Sequence, residues 1–148
     1  MSAITDVLND LITVSKDGEA GFNKAAEETT DENLKSTFTK RAKGCTHAIA
    51  ELQRHVENLG GTPADNGSVL GALHRGWLDI KSAVMDRDAH AILAECERGE
   101  DVAKATYAKA LKADLTANIR ELIEKQYAVV KRNHDLVRDL RDQYAKKK

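Results

Sequence analysis

The stretch that decides the fold is Ile4 to Thr29, ITDVLNDLITVSKDGEAGFNKAAEET. Within it Ile4, Leu8, Leu11, Ser15, Gly18, Phe22, Ala25 and Thr29 recur in alternating steps of four and three. That spacing turns one seam of a helix toward a partner helix, whereas a strand would alternate by two. Ser15 and Gly18 make the middle of the seam small, and Glu19 stands at the edge of the room they leave.

Working outward, Thr30 followed by Asp31 and Glu32 predicts an N-cap at Thr30, with acidic residues set against the positive end of a second helix dipole. So tight a turn predicts an antiparallel hairpin. The second seam runs Leu34, Phe38, Arg41, Cys45, Ala48, Leu52, His55, Leu59, and Gly60 with Gly61 supplies the stop. A loop holding the single proline follows, and Ser68 is placed to cap a third segment through about Met85. Val69, Leu70, Leu73, Trp77, Ile80 and Val84 share one face of it, and a break is expected near Asp86 to Asp88. A further helix from Ala89 to about Ala113 carries Leu93, Cys96, Glu100, Ala103, Tyr107 and Ala110. Thr116 is placed to cap the last helix, with the seam Ile119, Leu122, Gln126, Val129, Asn133, Leu136 and Leu140, and the Lys146 to Lys148 tail suits its negative end.

Four long helices and a shorter segment between two hairpins predict an all-α fold, an antiparallel four-helix bundle with an additional helical crossover. The chain is expected to form one domain over residues 1–148: a first hairpin over 1–59, a loop and crossover over 60–88, and a second hairpin over 89–146. With 148 residues, 41% of them hydrophobic, it is long enough to bury one core. The 23 basic and 24 acidic residues nearly cancel, so no long-range field gathers nucleic acid or anionic lipid. No apolar run is long enough to span a bilayer and no signal peptide is visible, so a cytoplasmic protein is expected. Cys45 and Cys96 lack any metal-type spacing and read as small hydrophobic residues.

The stretches GALHRGWLDIK (Gly71 to Lys81), AILAECERGED (Ala91 to Asp101), KDGEAGF (Lys16 to Phe22) and HDLVRDLRD (His134 to Asp142) together resemble an uncharacterised bacterial family of four-helix-bundle proteins. That family has ferritin-like topology and is catalogued as a domain of unknown function. The resemblance covers nearly the whole chain and implies a fold without naming a reaction.

Ferritin-like bundles are best known for a di-iron centre made of one Glu on each of two helices and a Glu-x-x-His pair on each of the others. No such pair is present here: Glu51 and His55 are four apart, and Lys131 stands three before His134. The candidate ligands for iron or another divalent metal are therefore Glu19, Glu51, Glu97, Glu100 and His134, scattered along the seams and their edges. Folding the hairpins about their turns places Glu97 near His134, Glu100 level with Asn133, Gln126 level with Tyr107, and Glu19 near Arg41. Each has an ordinary structural reading: a Glu19–Arg41 ion pair, a Gln126–Tyr107 hydrogen bond, and a register-fixing layer of Glu100 and Asn133. His74, Arg75 and Trp77 form a second cluster, read as packing of the crossover with Gly71 and Gly76 allowing close approach. His47 and His90 lie off the seams and read as surface residues.

Two functions compete. The sequence favours a non-enzymatic structural or interaction protein, associated with stress, that self-associates or binds a protein partner; it assures no cofactor, iron or another divalent metal being the candidate. The alternative is a di-metal (iron) binding or redox protein of the ferritin-like kind. No Ser-His-acid or Cys-His arrangement and no glycine-rich phosphate loop is visible.

Overall fold

The computed structural model describes residues 2–64 and 89–146. Four helices carry the described chain: α1 Ser2–Glu28, α2 Glu32–Asn58, α3 Ala89–Ala110 and α4 Ala117–Lys146. Among the described residues there is no strand, and no helix is long and apolar enough to cross a membrane. The expected helix from Ser68 to Met85, with His74, Arg75 and Trp77, lies outside the described residues.

The seam of α1 is buried from Leu8 to Thr29, with Ile4 partly buried. The cap of α2 is Asp31 rather than Thr30: its Oδ1 accepts from the Leu34 amide at 3.0 Å in an extended backbone. Thr29 has a different task, its hydroxyl oxygen accepting from the Asp31 amide at 3.2 Å. A carboxylate one position later satisfies the same orphan donors and adds charge against the dipole. At the far end of α2 the Gly60 amide donates to Glu57 O and the Gly61 amide to Val56 O, a Schellman closure with Gly60 at φ +79°. The chain beyond is pinned back onto α1, since the Asn9 amide group donates to Thr62 O and accepts from the Ala64 amide.

Helix α3 ends at Ala110, short of the expected Ala113. Arg120 of α4 reaches over this end and donates to the carbonyls of Leu111 and Ala113 at 2.9 and 3.0 Å, which have no partner within the helix.

The expected seam of α4 needs correction. Val129 and Leu136 are exposed, while Ile123, His134 and Val137 are buried beside Ile119 and Gln126. A strict heptad rotates steadily around a straight helix of 3.6 residues per turn, and over thirty residues the drift carries the seam onto the next residues.

Two apolar clusters fill the bundle. One joins Phe22, Ala25 and Ala26 of α1 to Leu34 and Phe38 of α2, Leu93 and Cys96 of α3, and Val137 of α4. The other joins Leu8, Leu11 and Ile12 to Leu52, Val56, Tyr107, Ile119 and Ile123. The end of α1 thus shares a half with the start of α2, the start of α3 and the end of α4. Helix α1 packs along both α2 and α3, and α3 along α4, whereas α2 and α4 barely touch.

Candidate functional site

Between the two clusters the interior turns polar. Arg41 on α2 is buried and reaches across to α3, where its Nε and Nη2 approach Oε1 of buried Glu100 at 3.4 and 3.2 Å. The guanidinium also lies over the Phe22 ring of α1, 5.4 Å from its centroid. Gly44, one turn along α2, leaves space for it, because a Cβ there would sit 2.9 Å from Arg41 Nη1. Burial pushes the Glu100 carboxyl up, and the adjacent Arg41 charge and hydrogen bond pull it back. Burial likewise lifts the Cys45 thiol to about 12 and Cys96 well above its usual range.

A second polar chain crosses the bundle a few turns away. Tyr107 of α3 donates to Gln126 Oε1 of α4 at 2.7 Å, and Gln126 Nε2 donates to Glu51 Oε1 of α2 at 3.1 Å. These side chains join α2 to α4 where the backbones stay apart. The gap holds a cavity of ≈ 350 Å³, lined in part by Ser15, Gly18, Arg41, Cys45, Tyr107 and Val129. The small middle of the α1 seam therefore does open room at mid-bundle, and Arg41 and Glu100 form its polar wall.

A third group lies to one side, on the second hairpin alone. His134 of α4 is buried; its Nδ1 is 3.1 Å from Asp135 Oδ1, and its Nε2 is 2.6 Å from Asp101 Oδ1 and 3.5 Å from Glu97 Oε2. The other oxygen of Glu97 accepts from Arg141. Atoms from Glu97, Asp101 and His134 all lie within 4.8 Å of one another, the one group of three among the described residues that could hold a metal ion.

The five expected ligands are thus divided. Glu97 and His134 meet, as the hairpin construction places them. Glu100 is taken by Arg41 rather than by Asn133. Glu19 is not the partner of Arg41: it accepts from the Thr46 hydroxyl at the edge of the bundle. Glu51 accepts from Gln126 and has His47, which is well exposed, at 3.9 Å. The Tyr107–Gln126 bond is present as expected, while His90 is half-buried rather than at the surface. The residue missed in the sequence is Asp101, whose side chain is 60% exposed and which reads as an ordinary surface charge. Its signal was the i, i+4 spacing from Glu97, which puts both carboxylates on one face of α3.

Fold and site together define an all-helical bundle whose central cavity is bordered by an ion pair and a hydrogen-bonded amide. A family described as "Domain of unknown function (DUF2383)" matches residues 3–113, and the chain belongs to that family. The match spans α1 to α3 and the turn after them. No curated protein matches the chain.

Proposed function

We propose that the protein is a single-domain, ferritin-like bundle whose central acids are paired with protein side chains instead of metal, and that it works by self-association rather than by catalysis. The observation that carries this reading is Arg41. Its guanidinium stands in the wall of the mid-bundle cavity, where a di-iron centre would lie, and binds the carboxylate of Glu100. A cation held there by the chain repels a second one, and Glu19 and Glu51 are spent on Thr46 and Gln126. Support for the ferritin-like topology comes from the two apolar clusters, which put the end of α2 and the start of α3 in opposite halves. Ala64 and Ala89 accordingly stand in opposite halves of the bundle, the arrangement that a crossover joins.

The associating surface is α4. Val129 and Leu136 are the large apolar residues left exposed among those described, at 41% and 44%, and seven residues apart they share a face. An antiparallel pair of α4 helices about a two-fold axis sets Val129 of one copy against Leu136 of the other and brings Lys125 close to Asp139. Light scattering on the purified chain is expected to give a dimer that Leu136→Lys converts to a monomer; a wild-type monomer at every concentration overturns the association. Protein expressed anaerobically with added iron is expected to show no oxygen-dependent iron oxidation. Two irons per chain with ferroxidase turnover would overturn the reading of the centre.

A further inference from the structure

We propose that Glu97, Asp101 and His134 form a mononuclear divalent-metal site on the second hairpin, separate from the mid-bundle position. Glu97 and Asp101 are one turn apart on α3 and face α4 together. His134 comes to meet them from α4 with its side chain only 8% exposed.

The imidazole is the observation that points to a ligand. Its Nδ1 is engaged by Asp135, which leaves Nε2 to face the two carboxylates. Although Asp101 Oδ1 is 2.6 Å away and Glu97 Oε2 is 3.5 Å away, Nε2 makes no hydrogen bond to either. A buried ring nitrogen that faces two carboxylate oxygens within ion-pair distance, without hydrogen-bond geometry to either, is a place for positive charge, and one metal ion would supply it to all three groups.

The dimensions and chemistry fit a small ion. Tetrahedral bonds of about 2.0–2.1 Å place ligand atoms roughly 3.3 Å apart, between the two separations seen here. One imidazole with two carboxylates suits Zn²⁺, Mn²⁺ or Fe²⁺ better than Ca²⁺ or Mg²⁺. The surrounding contacts are those of a supported site: the Nδ1 contact to Asp135 orients the ring, and Arg141 holds the Glu97 oxygen turned away from it. Asp101 brings the site to the surface, so a fourth position is open to water. Cys45 and Cys96 take no part.

The test uses the untagged full chain, stripped with chelator and titrated anaerobically with Zn²⁺, Mn²⁺, Fe²⁺ and Co²⁺. One ion per chain is expected, and the Co²⁺ form should show d–d bands without a thiolate charge-transfer band. His134→Ala is expected to weaken binding by at least about a hundredfold, and Asp135→Asn by roughly ten- to a hundredfold. Asp101→Asn, at an exposed position, serves if His134→Ala fails to fold, and it should also lose the ion. Arg41→Gln should leave the stoichiometry at one, which separates this site from the centre. No uptake by the wild-type chain, a thiolate band, or wild-type affinity retained in His134→Ala or Asp101→Asn would overturn the proposal.

Discussion

Arg41 joins three helices through one side chain: it is anchored on α2, lies over Phe22 of α1 and binds Glu100 of α3. Removing it leaves a buried carboxylate with no counter-charge, so Arg41→Leu is expected to cost about 3–5 kcal/mol. Replacing both partners with apolar residues removes the desolvated charges as well, and Arg41→Leu with Glu100→Leu should recover most of that loss. Urea unfolding of the two single variants and the double variant checks both statements; equal losses in the single and double variants would contradict them. Both residues stand on seams that the sequence displays, yet their pairing was not legible there. Counting back from a tight turn places residues on helices joined in sequence, and so finds Gln126 beside Tyr107. Arg41 and Glu100 belong to different hairpins, and their meeting depends on how the hairpins stack. Asp101 was hidden for another reason, since an exposed carboxylate differs from a surface charge only through what faces it.

Among the elements, α1 and α2 were the most legible because their heptads are long and punctuated. The cap fell one residue from its expected place, at Asp31, because both neighbours can accept the same hydrogen bonds and the acidic one also complements the dipole. The seam of α4 drifted with the turn of the helix, and the shift was hard to see in the sequence because buried His134 is polar while the exposed Val129 and Leu136 are apolar. The end of α2 depends on Gly60, whose φ of +79° is a region that a Cβ resists. No atom lies within 4 Å of where that Cβ would stand, so the cost of substitution is conformational alone. Gly60→Ala is expected to destabilise by about 1 kcal/mol, seen as a lower urea midpoint with an unchanged slope. A neutral effect would show that the loop can relax without the left-handed residue.

For the whole molecule, four buried or hydrogen-bonded acids hold their protons more firmly than the unfolded chain does. Burial lifts Cys45 to about 12 and raises Cys96 and Tyr107; the hydrogen bond that Tyr144 donates to Asp31 is the main cause of its rise to about 12. Because the unfolded chain releases these protons first, their stabilisation is complete below the unfolded values of 9.0 and 10.0 and is lost as pH climbs from there through the raised folded values. Urea midpoints are expected to fall steadily above about pH 9, and Cys96→Ala should flatten the first part of that fall. A midpoint unchanged to about pH 11 would contradict the buried, protonated state of these groups.

Helix α1 packs along both α2 and α3, and this has a consequence during synthesis. The first hairpin is complete when Asn58 leaves the ribosome, but α3 starts only at Ala89. At about 5–20 residues per second, the intervening chain takes roughly two to six seconds to emerge. Throughout that interval the side of α1 that α3 will cover, along with Phe38 and Leu52, lacks its partner helix. Nascent chains of this protein therefore have a defined window of stickiness, and the connector between its hairpins sets how long a chaperone must stand guard.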